Sequence, residues 1–392
     1  VSGERAGLYV HVPFCARACP YCDFDFEVAG PRLPDAIARW REGLARELEA
    51  RAAEFEHASF DSLYLGGGTP SALGGPALAE LIAWLRTRVV LDACRELSVE
   101  LNPEHVDAEL LAALRSAAVD RVSLGVQTLA ARGLVQLGRV HGGAQARAAV
   151  AACVAAGLRT SVDLIVGWPG QSQRELDLDL DALLELDVEH VSIYALTIEP
   201  ETAWPTLVRR GLRSEPDEDQ QASLLAHAHA RLSERGLLHY EVASHARPGR
   251  EAWHNGKYWR GVDVLALGPS AASVRVHPAG PQGPARVERR RNRRTLARWL
   301  ADPLTSEEPL DVLIGAAAAG EALWLALRRL DGLAVEPWLT RWGVDRAWLD
   351  RRIARQLALG NLAWTGEILH VAPGRWLWHD AIATDLLDDH DA

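Results

Sequence analysis

Methionine is absent from this sequence, lysine occurs once, at Lys257, and no apolar run approaches the ~20 residues that a membrane-spanning helix needs. The last absence excludes an integral membrane helix. Residues Val1–Val12 lack the charged-then-apolar pattern of a secretory signal, so a cytoplasmic protein is expected. With one lysine, nearly all positive charge is arginine, which reads as genome bias rather than as a functional device. Positive charge is also in deficit. Lys plus Arg number 42 against 53 Asp plus Glu, a net charge of −11, which argues against a general nucleic-acid binder. Cysteine is scarce as well. There are five, an odd count, and Cys15, Cys19 and Cys22 fall within eight residues. That distribution points away from a disulfide framework and toward a metal site in a reducing compartment. Cys94 and Cys153 lie in or beside helical text and read as small buried hydrophobes.

What is present is globular. Hydrophobic residues make up 48% and charged residues 24%, which excludes disorder, collagen and coiled coil. At ~150 residues per domain the length allows two or three domains, or one large and one small. Short β-rich runs alternate with helical patterns over the first two hundred residues. The expected strands are Leu8–Val12, Ser62–Leu65, Leu97–Leu101, Arg121–Gly125, Ser161–Val166 and His190–Ala195. The expected helices are Asp35–Glu56, Pro76–Arg88, Asp107–Ala117, Ala144–Ala156, Gln173–Leu186 and Pro216–Arg235. Six βα units in succession imply an α/β fold with a parallel sheet, wound as an open or closed barrel. Residues 1–236 therefore read as the barrel. Residues 237–308 read as an irregular connecting region, in which Arg286–Arg294 is a basic run taken as a solvated helix face. Residues 309–392 read as helices, a hairpin over Asn361–Val371 turning at Gly366, and a last helix from Gly374, the pattern of a small winged-helix-like domain.

The densest chemistry is His11-Val12-Pro13-Phe14-Cys15-Ala16-Arg17-Ala18-Cys19-Pro20-Tyr21-Cys22, just after the first strand. Three thiolates spaced C-x3-C-x2-C on one loop suit three irons of a [4Fe–4S] cluster, with the fourth iron open. Zinc and purely structural thiols are the alternatives, although zinc prefers four ligands in paired C-x2-C units and no second pair exists. Gly66-Gly67-Gly68-Thr69-Pro70 follows the second strand, where glycines allow close approach of backbone to a ligand.

These two motifs, with Leu63–Pro70 (LYLGGGTP), Ser98–Glu104 (SVELNPE), Ser123–Thr128 (SLGVQT), Gly138–His141 (GRVH), Asp163–Gln171 (DLIVGWPGQ) and Ser192–Pro200 (SIYALTIEP) in that order, resemble the radical S-adenosylmethionine (SAM) superfamily. More narrowly they resemble its oxygen-independent coproporphyrinogen III oxidase-like family, from Tyr9 to the C-terminal region. The resemblance implies a partial (β/α)6 barrel and a [4Fe–4S] cluster held by Cys15, Cys19 and Cys22. It implies SAM chelating the open iron, with Tyr9 and Tyr21 flanking cofactor and cluster. Gly67, Gly68 and Thr69 would hold the methionine ammonium, and Arg139 a carboxylate. Glu100, Gln127 and Asp163 would meet ammonium and ribose hydroxyls, and Ala195 and Ala272 would line SAM by apolar contact.

Two features divide the family. The oxidase branch carries a fourth cysteine two residues after the third, where this chain has Phe24. The haem-chaperone (HemW-type) branch carries H-N-x-x-Y-W, present here as His254, Asn255, Tyr258 and Trp259. Chemistry alone reads that group as a histidine hydrogen-bonded beside aromatics. The resemblance instead implies that it binds haem, with His254 on the iron. The expected function is a haem chaperone serving an acceptor protein that the sequence does not identify. Oxidative decarboxylation of coproporphyrinogen III is the alternative, and another radical SAM reaction a third.

Overall fold

In the computed structural model, which describes residues 4–28, 30, 32–51, 54, 59–91 and 93–387, the apolar runs form a parallel array. Strands β1 (Ala6–Val12), β2 (Phe60–Gly67), β3 (Glu96–Leu101), β4 (Arg121–Gln127), β5 (Arg159–Val166) and β6 (His190–Ala195) lie side by side in chain order. Between them run α1 (Leu33–Arg51), α2 (Gly75–Arg86), α3 (Ala108–Ser116), α4 (Gly143–Ala155) and α5 (Gln173–Leu184), and α6 (Glu218–Glu234) follows β6. The expected end of the first helix near Glu56 lies outside the described residues; its regular part stops at Arg51.

Local signals set several boundaries. The Asp107 side chain accepts from Leu110 N at the start of α3. Ser172 and Glu175 form a reciprocal capping box at the start of α5. Gly157 follows α4 in the left-handed conformation, φ +77, as a C′ residue should.

The strands do not read as continuous apolar runs throughout, and the exceptions matter. Leu63, Leu65, Leu97, Val99, Val122, Leu124, Val162 and Leu164 face the helices and join the main core. The intervening Tyr64, Ser98, Glu100, Arg121, Ser123, Ser161 and Asp163 face inward and line a cavity. The two-residue period of the strand therefore builds a greasy outside and a polar inside.

The sheet continues beyond the expected strands. Residues 237–308 are not irregular. They contribute β7 (Leu238–Glu241), β8 (Ser244–Ala246), β9 (Val264–Leu267), β10 (Ala272–His277) and β11 (Arg286–Arg291), and β12 (Asp311–Ile314) follows. The order is β12-β11-β10-β9-β1-β2-β3-β4-β5-β6-β8-β7. β9 pairs parallel with β1, while β10–β12 and the β7–β8 hairpin run antiparallel at the two ends. The basic run is thus a strand rather than a helix face: β11 is hydrogen-bonded between β10 and β12, a long-range pairing that decides its structure.

A second core gathers Ala285 and Val287 with α8 (Ala316–Ala326), α9 (Val335–Trp342), α10 (Arg346–Ala358) and α11 (His379–Leu387). A three-stranded sheet of β13 (Leu333–Ala334), β14 (Leu362–Thr365) and β15 (Ile368–Val371), in the order β13-β15-β14, completes it. The fold is the expected α/β partial barrel with a helical, winged-helix-like C-terminal unit.

Candidate functional site

Parallel strands place the loops that follow them at one rim. The cysteine loop leaves β1 there and folds back, with Glu27 N donating to Pro13 O at 2.7 Å and Phe14–Cys15 pairing with Glu27–Val28. Gly138 lets this loop seat: a Cβ at that position, φ +68, would stand 2.6 Å from Pro20 Cδ. Beneath the rim is a cavity of about 400 Å³. Cys15, Cys19, Cys22, Tyr21, Gly67, Gly68, Thr69, Glu100, Gln127, Arg139, Asp163, Ala195 and Asn255 all line it.

Three hydrogen-bonded groups join the strand ends. Arg139 Nη1 points to Cys19 Sγ at 3.4 Å, and Nη2 donates to Asn102 Oδ1 at 2.6 Å and Gly125 O at 3.2 Å. Asn102 Nδ2 donates to Thr69 Oγ1 at 3.2 Å, and that hydroxyl lies 3.4 Å from Cys15 Sγ. Glu100 accepts from Tyr64 Oη at 2.9 Å and from Gly67 N at 3.0 Å. Ser123 Oγ donates to Asp163 at 2.9 Å. The glycine turn has no room for side chains. A Cβ on Gly67, φ +109, would lie 2.6 Å from the His11 ring, and one on Gly68 would lie 2.9 Å from the carbonyl oxygens of Val12 and Phe14.

Burial governs the electrostatics. It pushes the Cys15 thiol up to about 11 and Cys22 to about 12. It raises Glu100 to about 7, opposed by the Tyr64 hydrogen bond and reinforced by Asp163. The pocket therefore holds groups that gain from a cationic guest: thiols that a metal would deprotonate, and carboxyls that an ammonium would ionise. The donor set fits an iron–sulfur cluster better than one zinc ion. Zinc holds sulfur at ~2.3 Å, which draws tetrahedral ligands to ~3.8 Å of each other. The three cysteine sulfurs are not gathered into a group of that tightness; among the described residues, the three-ligand group within 4.8 Å is His229, His239 and His245.

The remaining expected residues lie elsewhere. Tyr9 backs the cavity wall by stacking on Tyr64, ring centroids 6.1 Å apart, with its hydroxyl 3.2 Å from His11 Nδ1. Ala272 does not line the cavity: it is exposed at the start of β10, where the chain has turned away antiparallel. His254, Tyr258 and Trp259 are not in an irregular surface stretch either. They belong to α7 (Trp253–Trp259), which bonds to Asp61 and Ser62 near the start of β2 and to Glu96 at the start of β3, the ends opposite the cysteine loop. Glu96, first residue of β3, accepts from the amides of Trp253 and His254 at 2.9 and 3.0 Å, the charge a helix N-terminus favours. His254 is 1% exposed, its Nδ1 2.9 Å from Ser62 Oγ, and its Nε2 is without a partner. Burial, then the Lys257 charge, lowers it to about 3, so it is a neutral imidazole. The Arg328 guanidinium covers the Trp259 ring at 4.4 Å. Asn255 is the member of the motif that looks into the cavity. Residue-by-residue reading missed Asn102, Tyr64 and Glu96. Asn102 sits inside the quoted SVELNPE stretch and was legible there; Glu96 acts through a helix 157 residues away and was not.

Comparison with known proteins agrees with this geometry. The Radical SAM superfamily matches residues 9–183. A haem chaperone HemW of Mycobacterium tuberculosis is 42% identical over 270 residues, covering 69% of each chain. The haem chaperone HemW of Escherichia coli is 35% identical over 278 residues, 70% of this chain and 71% of that one. Among solved structures, the coproporphyrinogen III oxidase HemN of Escherichia coli, a radical SAM enzyme, superposes with a TM-score of 0.80 at 21% identity, over 98% of this chain and 90% of that one. That likeness establishes the fold.

Proposed function

The chain belongs to the radical SAM superfamily and, within it, to the HemW haem-chaperone family, and from that membership we propose that it binds haem as cargo and passes it to an acceptor protein. The observation that carries this reading is the joint presence of Phe24 and the H-N-x-x-Y-W helix on a chain 42% identical to a haem chaperone. Phe24 is 60% exposed at the cavity, where the oxidase-like alternative wants a thiol. A phenyl ring does no thiol chemistry. No helix among the described residues is long and apolar enough to cross a membrane. A cytoplasmic setting suits the five free cysteines.

Cys15, Cys19 and Cys22 would hold a [4Fe–4S] cluster, and the cavity beside it would hold SAM. The cluster supplies an electron-rich metal centre with one open coordination site. Arg139 keeps a cation beside Cys19 and is positioned by Asn102 for a carboxylate guest. Glu100 and Asp163 offer buried carboxyls to an ammonium and to hydroxyls. For haem, His254 presents a neutral imidazole with an unpartnered Nε2, but its ring is buried between α7 and the starts of β1 and β2, so ligation of iron by His254 would require α7 to move.

The test is anaerobic reconstitution followed by two assays on one sample, haem titration and coproporphyrinogen III turnover. Haem binding with a defined Soret band, changed in His254→Ala while iron and sulfide content stay constant, is the expected result. Multiple-turnover decarboxylation coupled to SAM cleavage replaces this reading with the oxidase. Identical haem affinity and spectrum in wild type and His254→Ala makes His254 a structural residue of α7. Loss of the cluster in Cys15→Ala, but not in Cys94→Ala or Cys153→Ala, checks the ligand set.

A further inference from the structure

Three histidines that the proposed function leaves unused converge at the β7 edge of the sheet. His239 of β7 and His245 of β8 are cross-strand partners, so both imidazoles leave the same face of the hairpin. Their rings stack with centroids 4.4 Å apart and planes 7° from parallel. α6 packs on that face and brings the His229 ring to 4.1 Å from His239 and 4.3 Å from His245. His229 Nδ1 stands 2.7 Å from His245 Nε2, and one ligating nitrogen from each residue lies within 4.8 Å of the others. Trp376 covers the group, its ring 3.8 Å from that of His229. Beside it is a second cavity, about 640 Å³, which His229, His239 and Trp376 help to line.

The nitrogens of this group are under-used. His229 Nε2 and His245 Nδ1 are buried with no hydrogen-bond partner. Buried polar nitrogens are normally hydrogen-bonded, so these two call for a partner. His239 Nε2 lies 3.3 Å from Val242 O. That contact puts its proton on Nε2 and leaves the Nδ1 lone pair free, the tautomer control usual for a metal-binding imidazole.

We propose that His229, His239 and His245 form a binding site for a borderline divalent cation, zinc foremost, with a fourth position facing the 640 Å³ cavity. Three imidazoles with no carboxylate among them exclude Ca²⁺ and Mg²⁺, which take oxygen ligands. Asp331, the carboxylate on the cavity wall, is already paired with Arg329. Four-coordinate zinc holds nitrogen at ~2.0–2.1 Å, so ligand nitrogens stand ~3.3–3.4 Å apart. The 2.7 Å contact between His229 Nδ1 and His245 Nε2 is a hydrogen bond between the two rings, which entry of the ion has to replace. The ligand separations in sequence, H-x9-H-x5-H, match no compact zinc motif, so only the fold assembles the site.

The experiment uses cluster-loaded protein, in which Cys15, Cys19 and Cys22 are engaged, with chelator-stripped buffers and Zn²⁺ as the probe. One further zinc per chain is expected, with affinity reduced at least 100-fold in His245→Asn and in His239→Gln and cluster content unchanged. Absence of a further zinc in wild type, or its full retention in both variants, overturns the proposal. Should either variant fold poorly, Co²⁺ added to wild type decides the matter. Weak d–d bands without a sulfur-to-cobalt charge-transfer band support three nitrogen ligands, and a charge-transfer band assigns the metal to thiols and overturns it.

Discussion

Single residues divide into those whose role a motif displays and those whose role depends on distant partners. Arg139 is of the first kind: GRVH singled it out, and the structure sets its guanidinium between Cys19, Asn102 and Gly125. Arg139→Ala should weaken SAM binding to cluster-loaded protein by ~1.5–3 kcal/mol, the worth of one charge-assisted contact, read by calorimetric titration. Unchanged affinity would take Arg139 out of the site. Glu100 was legible as a site residue, but its protonation was not, because burial, opposed by the Tyr64 hydrogen bond and reinforced by Asp163, causes the shift. Its folded pKa, about 7, lies above the ~4.3 of an unfolded glutamate. A raised carboxyl stabilises the fold fully below ~4.3, and that contribution is lost as pH rises through 7. Cluster-free, SAM-free protein should therefore lose roughly 3 kcal/mol more stability than Glu100→Gln between pH ~4 and pH ~9. Denaturant unfolding at the two pH values checks this, and parallel curves for the two proteins would contradict it.

At the scale of elements, reading succeeded where periodicity is local and failed where pairing is remote. The six parallel strands and their helices announce themselves by apolar runs, caps and a glycine stop. β9 is four residues, Val264–Leu267, and becomes a strand by pairing with β1, more than 250 residues earlier. β11 carries arginine on both faces and has no apolar alternation to betray it. α7 was hidden for a related reason: its N-terminus is held by Glu96 and its middle by an ion pair between Lys257 Nζ and Asp61 at 2.5 Å. Lys257 also donates to Arg5 O at 2.7 Å. The only lysine in the sequence is thus fully buried, so genome bias explains the rarity of lysine but not this one. Its thin stem passes so near Gly7 that a Cβ there would stand 2.9 Å from Lys257 Cδ, and a compact ammonium suits a site with no room for a guanidinium fork. Lys257→Met should cost ~3–5 kcal/mol, because it strands Asp61, itself 5% exposed, without a counter-charge. Lys257→Met with Asp61→Leu should recover most of that loss in chemical denaturation. A double variant as unstable as the single one would show that α7 does not depend on this pair.

For the whole molecule, the C-terminal unit does more than sit beside an open barrel. β12 pairs with β11 at one end of the sheet, and its neighbours cover Ala285 and Val287. At the other end, Val242 N donates to Arg328 O at 3.1 Å and Leu330 N to Tyr240 O at 3.1 Å, so backbone from the same unit pairs with the β7–β8 hairpin. Arg341 donates to Arg260 O at 3.2 Å just after α7, and Arg328 covers Trp259. Among the described residues the sheet stays open, and this one unit supplies the last strand at one end and pairs with the hairpin at the other, the places where unpaired strands invite aggregation. The change of text near Pro309 made this region look separable, since sequence shows the winged-helix pattern and not the edges it guards. A chain ending at residue 308 should therefore not be a folded, independent barrel. It would leave β11 as a bare edge, expose the apolar contacts of Ala285 and Val287, and release α7 from Arg328 and Arg341. The expected outcome is oligomeric or aggregated protein with strong binding of an apolar dye, measured by size-exclusion chromatography with light scattering and by fluorescence. A monomeric 1–308 chain that unfolds cooperatively and takes up a cluster as the full chain does would show that the barrel holds its own edges, and that the C-terminal unit is attached rather than integral.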